Sequence, residues 1–131
     1  MTQYYWRVSA GYKKNFGDWS ETWNFITNIG KVSLITPKNL SKGVPVHGLL
    51  NWNSLNGATQ YWIQLSKDSN FVYPEINDSN LTKNEFSYNG LRNSEVYYWR
   101  IKANNNVSIA NWSDVWHYEG IAYYVPINLI L

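Results

Sequence analysis

The string YYWR occurs twice in this chain, at residues 4–7 and again at residues 97–100. The match continues without a gap over residues 4–25 and 97–118, where eight of the 22 positions are identical. The identical pairs are Tyr4/Tyr97, Tyr5/Tyr98, Trp6/Trp99, Arg7/Arg100, Ala10/Ala103, Trp19/Trp112, Ser20/Ser113 and Trp23/Trp116. A repeat at an interval of 93 residues is typical of a tandem array of structural units. Any fold assigned to one copy must therefore suit the other.

A second, shorter match places the boundaries of the units. The segment ITPKNL at residues 35–40 is similar to YVPINL at residues 124–129. We therefore expect the last two strands of a partial repeat in residues 1–32 and a complete repeat in residues 33–120. Residues 121–131 are then the start of a further repeat or a tail.

The middle of the chain reads as short strands separated by clusters of Gly, Asn, Ser and Pro. Aromatic residues make up 18% of the chain, and they favour pleated, half-buried surfaces. In the segments LLNWN, YWIQLS, EFSYNGL and VYYWRIKA, apolar residues alternate with others, so each strand buries one face. The inward positions are Leu50, Trp52, Tyr61, Ile63, Leu65, Phe86, Tyr88, Tyr97, Trp99, Ile101 and Ala103, and the last strand carries Trp112, Trp116 and Tyr118. Strands that bury one face predict an all-β sandwich of two stacked sheets.

These residues give the chain a resemblance to the fibronectin type III domain, in particular to the bacterial extracellular kind found in tandem repeats. The resemblance rests on Trp52, Tyr61, the spacing from Leu91 to Tyr97, the YYWRIKA strand and the NWSDVW ending. It implies an immunoglobulin-like sandwich of seven strands in which YYWR is the sixth. It also implies a tyrosine corner, in which the Tyr97 hydroxyl bonds to the backbone near Leu91. This fold hosts many unrelated roles, so the resemblance says little about function.

Each repeat combines cationic side chains with tryptophans that follow on the next strand. Arginine and lysine stack on indole rings, and each contact contributes about 0.5 to 2 kcal/mol. We expect a structural cation–π ladder whose members are Arg7, Trp19 and Trp23 in the first copy and Arg100, Lys102, Trp112 and Trp116 in the second.

Four outward positions form a candidate ligand or partner face: Trp62, Gln64, Tyr98 and Arg100. An exposed aromatic ring flanked by polar groups could stack on a sugar or anchor a protein. The alternative, which we favour, is that Trp62 packs against a long side chain of its own sheet or against a neighbouring repeat.

The sequence gives little support for a calcium site or a catalytic site. The residues Asp68, Glu75 and Asp78 could supply oxygen ligands to calcium, but their spacing matches no calcium loop, and a solvated connecting loop is the better interpretation. His47 and His117 stand in no recognisable catalytic motif. We predict neither a catalytic site, nor a metal site, nor a cofactor.

Charge and composition narrow the partners. The net charge is +2, without a block of like charge, which makes nucleic acid a poor candidate. The chain has no cysteine, no signal-peptide core and no segment that could span a bilayer.

The leading hypothesis is a non-catalytic spacer or interaction module from a longer secreted or cell-surface protein. Its partners would be other domains of the same protein, and protein or polysaccharide ligands are further candidates. One alternative is a carbohydrate-binding module that uses the exposed aromatic face. Another is a filament or assembly subunit that exchanges strands through residues 4–27 or 121–131.

Overall fold

The structure is a computed structural model that describes residues 2–27, 29–106 and 108–121. Within these ranges every regular element is a strand, and no helix could span a membrane. The strands are β1 (Gln3–Trp6), β2 (Ser9–Tyr12), β3 (Asn15–Trp19), β4 (Trp23–Ile26), β5 (Leu34–Thr36), β6 (Ser41–Pro45), β7 (Gly48–Trp52), β8 (Gln60–Ser66), β9 (Ile76–Leu81), β10 (Glu85–Tyr88), β11 (Val96–Asn104) and β12 (Trp116–Ile121).

Strands β5 to β12 form two sheets that enclose one core. The smaller sheet has the order β10-β7-β5, and the larger has the order β6-β12-β11-β8-β9. Neighbouring strands are antiparallel, except that β6 runs parallel to β12. The predicted β-sandwich is confirmed.

The alternation of side chains along β8 and β11 builds the core. On β11 the residues Tyr97, Trp99, Ile101 and Ala103 are buried, and the residues between them are half-buried. From Tyr98 to Asn104 the strand pairs with β8, on which the inward residues are also buried. The core contains Ile29, Val32, Leu34, Leu50, Trp52, Tyr61, Ile63, Leu65, Tyr88, Tyr97, Trp99, Ile101, Ala103, Ala110 and Tyr118. Phe86, also predicted to face inward, is half-buried and packs against this cluster.

The sandwich has eight strands rather than the predicted seven, because the first strand is divided between the two sheets. Strand β5 pairs with β7, and β6 pairs with β12. Pro37 lies between them, and a proline has no N–H with which to continue a strand ladder. The chain therefore leaves one sheet at this point and joins the other.

Residues 3–26 form a separate hairpin, in which β1 pairs with β4 and β2 pairs with β3. The sequence predicted two strands here, but each arm is interrupted, the first at residues 7–8 and the second at residues 20–22. At the interruption the Ser20 hydroxyl accepts the N–H of Val8 at 2.9 Å, in place of a backbone carbonyl. In the matching strand β11 no break occurs, because β8 pairs with it across this position.

The segment between the hairpin and β5 is attached to the sandwich. Ile29 and Val32 are buried in its core, although both precede the predicted boundary at residue 33. Lys31 pairs with the Asp114 side chain and forms a parallel bridge with Asn111. At the other end, the predicted third repeat or tail at 121–131 lies outside the described residues, except for Ile121.

Candidate functional site

The candidate face lies on the outer side of the five-stranded sheet, where β8 and β11 run side by side. Arg100 is paired with Gln64, and Lys102 is paired with Trp62. Side chains that lie opposite each other on neighbouring antiparallel strands have Cβ atoms about 5 Å apart. The register therefore brings the predicted residues Trp62, Gln64 and Arg100 together.

Arg100 contacts an aromatic ring on each face of its guanidinium group and donates hydrogen bonds along one edge. The central carbon of the group lies 4.1 Å from the ring centroid of Phe71 and 4.2 Å from that of Trp112. Its Nε and Nη2 atoms both donate to Oε1 of Gln64, at 2.9 and 2.7 Å. Burial lowers the pKa of this group, but arginine stays protonated in proteins. Arg100 is thus a fixed cation between two aromatic rings.

Trp62 is occupied by neighbours on its own sheet. Its ring centroid lies 5.2 Å from that of Trp112, and Nζ of Lys102 lies 5.3 Å from the first ring and 5.1 Å from the second. The indole N–H donates to Oδ1 of Asn77 at 2.6 Å, and Nε2 of Gln64 donates to the same oxygen at 3.2 Å. Asn77, Gln64 and Arg100 therefore form one row of hydrogen bonds beside the stacked rings.

Tyr98 lies on the same strand but has a different neighbour. Its ring centroid is 5.2 Å from the His117 ring, and His117 is paired with Tyr98 across β11 and β12. Of the four predicted face residues, Trp62, Gln64 and Arg100 are therefore joined by hydrogen bonds through Asn77 and Gln64, and Tyr98 is not part of this group.

Phe71 is a member of the stack that the sequence pattern did not predict. It lies in a tight loop in which the Asp68 carboxylate accepts the N–H groups of Asn70 and Val72, at 3.0 and 3.2 Å. These hydrogen bonds hold the pKa of Asp68 below its usual value. The loop places Phe71 at φ 57°, an uncommon conformation for a bulky residue, and its ring is buried on Arg100. The apolar residue directly after the polar segment KDSN, residues 67–70, was the available signal.

Two of the seven predicted ladder residues, Trp116 and Trp23, lie elsewhere. Trp116 is paired with Trp99, and their ring centroids are 6.3 Å apart in an edge-to-face arrangement. Directly opposed residues share one face of a sheet, and Trp99 faces the core, so Trp116 cannot reach the outward Arg100. Trp23 likewise lies opposite Trp6, with ring centroids 5.9 Å apart, so it cannot reach Arg7, which points to the other face.

The remaining ladder contacts occur in both copies. The guanidinium carbon lies 4.3 Å from the tryptophan ring centroid in the Arg7/Trp19 pair, against 4.2 Å in the Arg100/Trp112 pair. The serine that follows each tryptophan binds the residue after the arginine in the same way. The N–H of Ser20 donates to the Val8 carbonyl at 2.7 Å, as the N–H of Ser113 does to Ile101.

The predicted tyrosine corner joins the loop before β11, which contains Leu91, to Tyr97 at the start of that strand. The Tyr97 hydroxyl accepts the N–H of Arg92 at 2.8 Å, one residue beyond Leu91. Leu91 packs against the core, and its N–H donates to the carbonyl of Val46 at 3.3 Å. The first bond ties the loop to the start of β11, and the second ties it to the segment between β6 and β7.

The acidic loop residues serve the local backbone. Oε2 of Glu75 accepts the N–H of Lys67 at 3.1 Å, and Oδ1 of Asp78 accepts the N–H of Asn80 at 2.9 Å. In the described ranges no three His, Cys, Asp or Glu side chains come close enough to hold a metal ion. An open cleft of about 400 Å³ is lined by Lys67, Glu75, Arg92 and Tyr97, and the hydrogen bonds of the last three maintain its walls.

Comparison with known proteins identifies the fold. A fibronectin type III-like protein from Clostridium thermocellum matches with a TM-score of 0.51 and 17% identity, over 73% of this chain and 94% of that one. The sixth fibronectin type III domain of human fibronectin type III domain containing protein 3 matches with a TM-score of 0.51 and 15% identity, over 70% of this chain and 95% of that one. No protein-family model and no curated sequence matches the chain. Eight strands in two stacked sheets, together with these solved structures, establish that the chain carries a fibronectin type III fold.

Proposed function

We propose that the chain is a non-catalytic spacer and interaction segment of a longer secreted or cell-surface protein built from tandem fibronectin type III repeats. The observation that carries this proposal is the structural equivalence of the two copies. Gln3 pairs with Ile26, and Trp6 pairs with Trp23; 93 residues later, Val96 pairs with Glu119, and Trp99 pairs with Trp116. A hairpin reproduced pair by pair at a fixed interval is what one repeat followed by another would give.

The outer face of the sandwich supports a structural role as well. Arg100 donates to Gln64 and stacks on two rings, while Trp62 donates to Asn77 and packs on Trp112. A sugar ring needs a free aromatic plane and free polar groups, and these contacts already use those groups. The same arrangement stabilises the five-stranded sheet, as a spacer requires. These contacts favour the spacer over the carbohydrate-binding alternative.

The segment between β4 and β5 also favours a spacer role, because it is attached to the sandwich. Ile29 and Val32 are buried in the sandwich core, and Lys31 pairs with Asp114. A connection that is buried at two positions cannot behave as a flexible coil there. We therefore propose that the junction before β5 is fixed to the repeat that follows it and sets the direction from which the chain enters that repeat.

The test is removal of residues 1–28 from the chain. If the sandwich is an autonomous repeat, the truncated chain unfolds in urea in one transition, with the midpoint and slope of the full chain. A truncated chain that unfolds without a cooperative transition would show that the two copies form one integrated domain. That result would contradict the tandem arrangement.

A further inference from the structure

The hairpin has an apolar face that corresponds to a buried face of the sandwich. We call this the hairpin inner face and define it by Tyr4, Trp6, Trp23 and Phe25. The rings contact one another, with Tyr4 stacked on Phe25 at 5.4 Å and Trp6 against Trp23 at 5.9 Å. All four side chains are nevertheless exposed. Four adjacent exposed aromatic rings indicate an interaction surface.

The sandwich shows what covers the equivalent residues. Tyr97, Trp99 and Tyr118, which match three members of the hairpin inner face, are buried in one cluster with Leu50 and Trp52 of β7. The ring centroid of Tyr118 is 6.2 Å from that of Tyr88 on β10. In the complete copy, then, the three-stranded sheet provides the cover.

Among the described strands β1 pairs with β4 alone, and its other edge corresponds to an edge of β11 that is paired with β8. Along β11, Trp99 is opposite Leu65, Arg100 is opposite Gln64 and Ile101 is opposite Ile63. Transferred by the 93-residue interval, this register puts an apolar side chain opposite Trp6, a polar one opposite Arg7 and an apolar one opposite Val8. A strand with this alternation would complete the sheet by main-chain hydrogen bonds.

Arg7 supplies a specific requirement for that strand. It already stacks on Trp19 as Arg100 stacks on Trp112. Arg100 gains its two hydrogen bonds from Gln64, which belongs to β8, and residues 2–27 include no strand equivalent to β8. The occupant should therefore offer a side-chain carbonyl oxygen opposite Arg7.

The folded sandwich of a second copy of the chain cannot offer such a strand, because none of its edge strands, β5, β6, β9 and β10, has Asn or Gln between two apolar residues, and its β8 is not at an edge. Its β8 lies between β9 and β11, so both of its edges are already paired. Using it would require displacement of β11 and β12, with loss of the buried Tyr97, Trp99 and Tyr118 contacts. The occupant must instead be a group of strands from a domain of this fold whose own last two strands are missing.

We propose that the hairpin inner face and the β1 edge bind the first strands, equivalent to β5 to β10, of a preceding fibronectin type III repeat in the same polypeptide. The β8-like strand of that repeat lies antiparallel to β1 and places a Gln or Asn opposite Arg7. This inference rests on the proposed tandem arrangement and specifies its contacts.

The experiment adds such strands to the full chain. Residues 33–95 are placed directly before Gln3, which keeps the native spacing because Gln3 matches Val96. The matched control carries Ile63→Asp and Leu65→Asp in the added segment alone, which removes its apolar face. Trypsin cleavage after Arg7 is timed by mass spectrometry in the full chain, the extended chain and the control. Cleavage after Lys13 and Lys14, in the exposed turn between β2 and β3, is the internal reference.

We expect cleavage after Arg7 to slow by roughly 100-fold in the extended chain, because cleavage requires opening of the structure that covers the bond. Cleavage at the turn should stay within about threefold, and the control should match the unextended chain at both places. Equal cleavage after Arg7 in the extended chain and the control would overturn the proposal. So would an unextended chain that sediments as a dimer with Arg7 protected, since the occupant would then be a second copy. Neither result would alter the unfolding of the truncated sandwich, which tests the tandem arrangement separately.

Discussion

The two copies of the YYWR hairpin share their register and differ in what covers them. Tyr97 and Trp99 are 1% and 0% exposed, whereas their counterparts Tyr4 and Trp6 are 49% and 46% exposed. The arginine and tryptophan contacts on the outer face are nearly equal in the two copies. Local sequence therefore sets the hairpin geometry, while burial of its inner face requires the strands that β5 to β10 provide. An isolated hairpin is only marginally stable in water, so the two copies should differ greatly in stability although they share one strand register.

The largest expected difference concerns the inner-face tryptophans. Trp99→Ala should lower the free energy of unfolding of the sandwich by about 3–5 kcal/mol, because it leaves a cavity in a closed core. Trp6→Ala should change it by less than about 0.5 kcal/mol, since Trp6 is exposed and lies outside the sandwich. Urea unfolding followed by circular dichroism measures both. Equal losses would show that the hairpin contributes to the same cooperative core.

The Trp-Ser serines give a second matched pair. Ser113 is buried, and its hydroxyl accepts the Ile101 N–H at 2.9 Å. Ser113→Ala should destabilise the sandwich by about 1–3 kcal/mol, because it leaves a buried N–H without its partner. Ser20→Ala removes the same bond to Val8, but in an exposed position where water replaces the hydroxyl. A Ser113→Ala variant as stable as Ser20→Ala would contradict the role given to this bond.

The outer-face cation is the next comparison. Arg100→Ala should lower sandwich stability by about 1–2 kcal/mol, through loss of stacking on Phe71 and Trp112 and of the bonds to Gln64. Arg7→Ala should leave sandwich unfolding unchanged. Chemical denaturation of both variants at the same salt concentration provides the measurement. An Arg100→Ala protein with wild-type stability that gains an affinity for soluble glycans would favour a ligand face instead.

The smallest expected effect is the response of the buried tyrosine to alkali. Burial raises the pKa of Tyr118 far above its usual value, so the hydroxyl stays protonated in the folded state and ionises on unfolding. The contribution of Tyr118 to the free energy of unfolding is therefore fully present well below pH of about 10. It falls as the pH rises, by about 0.8 kcal/mol at pH of about 10.5. Tyr118→Phe should remove this part of the alkaline loss. Parallel stability curves for Tyr118→Phe and the parent protein between neutral pH and that point would contradict it.

Strand identity and the main core residues could be predicted because alternation is a local property. The alternating pattern in residues 61–65 and 97–103 reports directly which side of each strand is buried. The division of the first strand depends on which sheet each half joins, and that is decided by distant partners such as β7 and β12.

The outer stack was only partly predictable for the same reason. Arg100 and Trp112 follow from the strand and the turn after it, but Phe71 comes from a loop whose path depends on Asp68 hydrogen bonds. Gln64, polar and outward, is buried because Arg100 and Asn77 bind both ends of its amide. Such contacts are tertiary and leave no periodic signal.

Amide hydrogen exchange of both YYWR segments, in one sample of the full chain, compares the cover of the two copies directly. If the copies differ only in their cover, amides of residues 98–101 should exchange near the rate set by global unfolding, and those of residues 5–8 should exchange at least about 1,000-fold faster. Equal protection of the two segments would show that the hairpin inner face is already covered in this chain, and it would contradict the proposal that a preceding repeat covers it.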